Sequence, residues 1–260
     1  MPLKMNCTST TWKPITSDNN ACKTHTPVAN KLIVIPTVNV DIHDPAASIN
    51  SSVKDLASWL LMQLDSGRFE GKQVVPFEAL QLTRSSNTIV ADLNPALGSN
   101  LQVYGLGWFM LNYHEARIIR HNGGANGFVT TTCFIPSMQL GIVVLSSTDA
   151  NSFYSALGTQ IIDAYMGLPY INQSERIFTG FSADIQLENS EINGMKETAS
   201  KNPKALLLKP PGENDFLCTY SDPLYGIKKI FFTVKDGKVK SITLKVDDFV
   251  DYMEYEFTKE

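Results

Sequence analysis

The strongest periodic signal in the chain begins at Ser52. Val53, Leu56, Trp59, Leu60 and Leu64 recur at the spacing of one helix face, and Ser52 followed by Asp55 has the form of a capping box. The pattern predicts an amphipathic helix over 52–65, ended by Ser66-Gly67. A shorter helix is expected from about Pro76 to Arg84, since proline suits a first helical turn. From residue 103 the period changes. Val103 to Leu111, Ala116 to His121, Gly127 to Ile135 and Leu140 to Ser146 are β-branched or aromatic runs with short turns between them, which predicts four strands of an antiparallel meander. Ser152 to Gly167 reads as a helix with Phe153, Leu157, Ile161, Ile162, Tyr165 and Met166 on its apolar side. Polar residues 170–212 follow as a partly helical linker, closing at Pro210, Pro211 and Gly212. The tail is β again: Phe216 to Tyr220, Lys229 to Val234, Val239 to Val246 and Tyr252 to Phe257, with Asp236-Gly237 as a hairpin turn. Residues 1–50 hold no sustained period. Only Lys31 to Pro36 reads as a short strand, and so much irregular chain needs a larger body to lie against.

Composition adds exclusions. With 43% hydrophobic and 18% charged residues among 260, the chain can bury a real core. A net charge of −4 with scattered basic residues gives no footprint for nucleic acid, and Lys235, Lys238 and Lys240 read as a solvated strand face. No apolar run is long enough to cross a bilayer, and the first residues do not have the form of a signal peptide. None of the four cysteines forms a C-x-x-C pair. Cys133 and Cys218 read as buried free thiols, and a Cys7–Cys22 bridge stays open. His25, His43 and His114 stand alone in loops, so no metal site is expected, and Asp41 and Asp44 read as turn residues.

Four stretches carry a resemblance. They are Pro45 to Leu60; Tyr104-Gly-Leu-Gly-Trp108 with His121-Asn-Gly-Gly124 and Gly127-Phe128; Leu140 to Leu145 with the helix after it; and Phe216 to Glu260. In this order they resemble β-lactamase-related serine hydrolases of the penicillin-binding, class C type, with a small β domain appended. The resemblance covers most of the chain. It implies acyl transfer or hydrolysis of an ester, amide or peptide through an acyl-enzyme, without a cofactor. Such chemistry needs a Ser-x-x-Lys pair on a helix, a Tyr or Ser with Asn two residues on, and a Lys-Thr-Gly or His-x-Gly strand. His121-Asn122-Gly123 matches the third element. By the resemblance His121 and Gly124 are catalytic, the amide of Gly124 being an oxyanion donor, and Asn122, Gly123 and Tyr104 bind substrate. From the residues alone, His121 reads as an inert strand-end histidine and Tyr104 as packing.

The first two elements are not found in their places. Ser51-x-x-Lys54 spells the first, yet it lies at a helix start close before the His-x-Gly strand, where Ser51 and Lys54 read as cap and surface residues. Tyr170-x-Asn172 spells the second but follows the third. In relatives, the nucleophile lies upstream of the point matching Met1. The expectation is therefore an α+β fold in three parts. Residues 1–169 form a partial β-lactamase-like domain with a sheet of three to five strands, 170–212 a linker, and 213–260 a small antiparallel β domain. The expected function is the C-terminal part of a serine hydrolase, inactive alone. Alternatives are a hydrolase completed in trans, by a complementing N-terminal chain or a homodimer partner, and a non-enzymatic module binding peptides or cell-wall fragments. The expected ligand is a small molecule or peptide. The outer edge of the His121 strand is expected to be covered by a second copy or by residues 1–50.

Overall fold

The computed structural model describes residues 2–28, 31–44, 46–90, 101–125, 127–149, 151–179, 213–219, 227–245 and 254–258, with Gln186, Ser190, Asn193 and Gly194 besides. Two compact units are formed, one from residues 1–24 and 36–171, the other from 25–35 and 172–260. In chain order the elements are α1 (Lys13–Ser17), β1 (Thr24–Val28), β2 (Lys31–Ile35), α2 (Val53–Leu64), β3 (Arg68–Phe69), β4 (Lys72–Gln73), α3 (Phe77–Thr83), β5 (Thr88–Val90), β6 (Gln102–Tyr104), β7 (Phe109–Tyr113), β8 (Ala116–Ala125), β9 (Phe128–Ile135), β10 (Leu140–Ser146), α4 (Phe153–Tyr165), β11 (Glu213–Thr219), β12 (Ile227–Lys235), β13 (Lys238–Lys245) and β14 (Glu254–Thr258). Among the described residues no helix is long and apolar enough to cross a membrane.

The first unit is built on an antiparallel sheet in the order β10-β9-β8-β7-β6-β5. Neighbouring residues within its strands go to opposite faces. Leu111, Ile118, Cys133 and Ile142 join one core cluster with Ile162 of α4, while Met110, Ile119 and Phe134 join another with Leu60 of α2 and Trp108. A helix thus covers each face, and the nearly unbroken apolar run of β10 follows from burial on both sides. Gly141 lets α2 come close: a Cβ there would sit 3.3 Å from the Leu60 side chain.

Six strands stand where three to five were expected, because the run from Val103 to Leu111 folds on itself. Gly107 takes φ +83°, the Gly105 N–H bonds the Trp108 carbonyl at 2.8 Å, and a Cβ on Gly105 would lie 2.3 Å from the Thr83 carbonyl oxygen. That turn splits the run into β6 and β7, and Thr88–Val90 adds the edge strand. On α4, Ile162 is buried and Leu157, Ile161 and Met166 pack against the same core as expected, while Phe153 and Tyr165 are exposed; Ala156, Gly158, Thr159 and Asp163 are buried beside Ile162. Small residues set that face, because they let the helix backbone approach the sheet.

Helix α2 starts as its capping pattern requires, with the Ser52 hydroxyl accepting from the Asp55 N–H at 3.3 Å. The buried Asp55 carboxylate accepts from the Cys7 N–H at 2.7 Å and the Thr8 hydroxyl at 2.8 Å, while Ser9 and Asn50 exchange two backbone bonds of 2.9 Å. Trp12 N–H donates to Asp41. Residues 7–12 are therefore tied to the start of α2 and to the Asp41 turn, and these bonds do not reach the edge of β8. Cys7 and Cys22 are free and exposed, so the open bridge between them is not formed, and Cys133 is a buried free thiol. Cys218 has no described side chain.

In the second unit β11-β12-β13-β14 form a four-stranded antiparallel sheet. Asp236 (φ +55°) and Gly237 (φ +70°) make the two-residue turn expected between β12 and β13. Residues 173–179 are helical, with Asn172 Oδ1 accepting from the Glu175 N–H at 3.1 Å.

Candidate functional site

Strand β8 continues four residues past His121, to Ala125, where the sequence pattern ended it. The continuation is possible because Gly123 and Gly124 adopt extended backbone and β9 supplies β-branched partners: Thr132, Thr131, Thr130 and Val129 lie opposite His121, Asn122, Gly123 and Gly124. Residues 126 and 127 connect Ala125 to Phe128, Gly127 at φ +78°, which is a two-residue hairpin. The turn is anchored from a distance by Asp149, fully buried, whose carboxylate accepts the Gly127 N–H at 2.9 Å. Asn126 lies outside the described residues.

On its other side β8 pairs with β7 only as far as Arg120, opposite Phe109. His121 to Ala125 thus overhang. A two-residue loop makes Ala125 and Phe128 a hydrogen-bonded pair, and antiparallel bonding alternates from there. Ala125, Gly123 and His121 therefore turn their N–H and C=O toward β9, while Gly124 and Asn122 turn theirs outward, beyond the end of β7. Two side-chain contacts agree, since the Thr132 and Thr130 hydroxyls reach the carbonyls of His121 (3.3 Å) and Gly123 (3.5 Å) from the β9 side. Gly123 is needed for that approach: a Cβ on it would stand 2.6 Å from Thr130 Oγ1. Asn122, Gly123 and Gly124 are exposed.

The half-buried His121 imidazole sits at the start of the overhang. Its Nδ1 is 2.6 Å from the Asn122 carbonyl oxygen and its Nε2 is 3.3 Å from the Tyr104 hydroxyl. Phe109, which sequence reasoning did not single out, packs against both, with ring centroids 4.5 Å from Tyr104 and 5.6 Å from His121. The residues expected to form the site, His121, Asn122, Gly123, Gly124 and Tyr104, are therefore grouped at one sheet end. Ser51 and Lys54 are not part of this group in hydrogen bonding. Ser51 Oγ is 2.8 Å from Thr8 Oγ1, ahead of α2, and Lys54 is exposed in that helix's first turn. Asn172 caps a helix, and Tyr170 is exposed. Asp149 was missed because nothing local marks it; its role comes from a bond across 22 residues. Among the described residues no three His, Cys, Asp or Glu side chains converge as metal ligands.

Behind the sheet, Arg120, Asn122, Thr131 and Cys133 line, with Tyr154 and Gly158 of α4, a cavity of about 30 Å³, room for one water. Burial pushes the Cys133 thiol up to about 12, against a smaller opposing pull from Arg120. On the other face Arg84, its guanidinium 4.7 Å above the Phe134 ring, bonds the carbonyl and side-chain oxygens of Gln63, and burial and then Arg117 hold its pKa below the ordinary value.

A sheet with a helix on each face and a His-x-Gly strand overhanging at one end defines a β-lactamase-like domain. The beta-lactamase family model matches residues 1–166, and the chain belongs to that family. Two curated relatives are similar to it. One is the Unguisins hydrolase ungD' of Aspergillus campestris, 26% identical over 128 residues, 49% of this chain and 22% of the relative. The other is the Unguisins hydrolase ungD of Aspergillus violaceofuscus, 27% identical over 135 residues, 48% and 24% of the two chains. Among solved structures, the octameric penicillin-binding protein homologue from Pyrococcus abyssi shares the fold with a TM-score of 0.56 at 15% identity, over 95% of this chain and 55% of that one. The matched region thus spans about a quarter of each curated relative.

Proposed function

We propose that the chain carries the substrate-binding strand of a β-lactamase-related serine hydrolase, and that it does not by itself form an acyl-enzyme. The observation that carries this reading is the overhang of β8. An outward N–H on exposed Gly124, next to exposed Gly123, suits a carbonyl oxygen that becomes an oxyanion, and no side chain on either glycine blocks its approach. The outward N–H and C=O of Gly124 also suit the backbone of an extended ester, amide or peptide substrate, which would add to the edge as a strand does. The word hydrolase in the names of both curated relatives agrees with this class of reaction. A donor strand without a nucleophile beside it binds and does not turn over, and Ser51 is engaged with Thr8 at the head of α2.

Completion in trans is the second reading, favoured by strand β10. It is an edge of the sheet among the described residues, apolar and helix-covered, with no charge or proline to guard it. The test is amide exchange at Gly124 followed by NMR while a blocked N-acyl dipeptide is added. Several-fold slowing at Gly124, with Gly141 on β10 unchanged, is expected. Exchange at Gly124 that ignores saturating peptide would remove β8 as the binding strand.

A further inference from the structure

We infer that Tyr104 is a positioning residue that, together with the Asn122 carbonyl, holds the neutral His121 ring in its Nδ1–H tautomer and so reserves Nε2 as the proton-accepting atom of the site. This role rests on the reading of β8 as the binding strand and follows from which atoms can donate and which can accept. A carbonyl oxygen only accepts. With the Asn122 oxygen 2.6 Å from His121 Nδ1, the hydrogen must be on Nδ1. A neutral imidazole has one N–H, so Nε2 then has a lone pair, and the hydroxyl 3.3 Å away on Tyr104 is the donor to it.

Position makes this consequential. By the alternation along β8, the Asn122 carbonyl is one of the outward groups of the overhang. His121 therefore closes that acceptor with its own Nδ1–H, and the next outward backbone group, the Gly124 N–H, is left for a ligand. A substrate that pairs with the edge is read from Gly124 onward, not from Asn122. The ring is held in place by three contacts from two other strands and itself: the Tyr104 hydroxyl, the Phe109 ring at 5.6 Å, and the bond to Asn122. When water delivers a proton to Nε2 and leaves as hydroxide, or hydronium delivers it and leaves as water, the ring becomes an imidazolium with both nitrogens as donors. The Tyr104 oxygen then accepts from Nε2–H, by rotation of its hydroxyl, and no other atom has to move. Tyr104 is thus able to hold either protonation state of His121 at the same address.

The experiment is two-bond ¹H–¹⁵N NMR of the His121 ring in the full chain, at a pH where the imidazole is neutral, with Tyr104→Phe and Asn122→Ala beside the wild type. Two hydrogen bonds that both select one tautomer favour it by roughly tenfold or more. The wild type is expected to show Nδ1 protonated and Nε2 bare. Tyr104→Phe keeps the ring against Phe109 and should shift the Nε2 resonance with loss of the hydrogen bond, while Asn122→Ala keeps the backbone carbonyl and should leave the pattern unchanged. A predominantly Nε2–H ring in the wild type overturns the inference, and so does an Nε2 resonance that Tyr104→Phe does not move. These outcomes are independent of peptide binding. A fixed tautomer with no peptide protection at Gly124 would sink the binding-strand reading alone, and peptide protection with an Nε2–H ring would sink this inference alone.

Discussion

Replacing Gly123 by alanine probes how closely β8 and β9 must approach for the overhang to exist. A Cβ on Gly123 would stand 2.6 Å from Thr130 Oγ1, whereas side-chain contacts of this kind stay beyond 3.0 Å, so several tenths of an ångström must be found. Thr130 is the residue directly opposite and is branched at Cβ, so its oxygen has few places to go. Overpacking of this order costs about 1–3 kcal/mol, and the exposed setting of Gly123 puts the value toward the lower end, about 1.5 kcal/mol. Thr130→Ala removes the obstructing oxygen at a cost of a few tenths of a kcal/mol, so the double variant should recover roughly 1 kcal/mol of the loss. Urea unfolding of the four proteins measures this, with the stacked pair Trp59 and Trp108, 5.3 Å between centroids, as the fluorescent reporter in the same unit. If the two losses simply add, to within about 0.5 kcal/mol, the contact does not govern the site and the close approach of β8 and β9 is wrong.

Asp149→Ala should destabilise the first unit by about 2 kcal/mol, since it strands the buried Gly127 N–H, and should speed amide exchange at Gly127 ahead of Ile142; equal protection of the turn in both proteins would refute the anchor. Ser52→Ala should cost about 1 kcal/mol in urea unfolding, whereas Ser51→Ala should cost clearly less, and a reversed order would move the cap. Cys133, pushed up to about 12 by burial, should resist thiol reagents at neutral pH while Cys7 and Cys22 react. Because burial raises the folded thiol above its ordinary value of about 9.0, this group's contribution is intact below pH 9 and is lost as pH rises from there toward 12. Stability that climbs with pH in a wild-type minus Cys133→Ala comparison would reverse the sign.

What the sequence made legible was set by local rules. The Ser52 cap, the short α3 after Pro76, and the Asp236-Gly237 turn depend on residues within a few positions of one another, and each formed where the pattern placed it. The α+β class followed from the change of period at residue 103. What was not legible depended on approach between distant segments. Gly105 is glycine because Thr83 backbone crosses it, which no local pattern announces, and so β6 and β7 were read as one strand. On α4 periodicity found Leu157, Ile161, Ile162 and Met166 at the core but also took in the exposed Phe153 and Tyr165, because small residues such as Ala156 and Gly158 complete the buried face where the helix meets the sheet. At the site, the motif residues His121 to Gly124 were visible as a family pattern. That they overhang β7, that Phe109 packs on His121 and that Asp149 holds the turn are consequences of strand length and register.

The central claim is that the chain offers a binding strand without an acylating serine of its own. Intact-mass spectrometry after incubation with a fluorophosphonate, and separately with penicillin, tests it most directly. The chain should keep its unmodified mass with both reagents. One adduct per chain on Ser51, lost in Lys54→Ala, would contradict the claim and move the active centre to the head of α2.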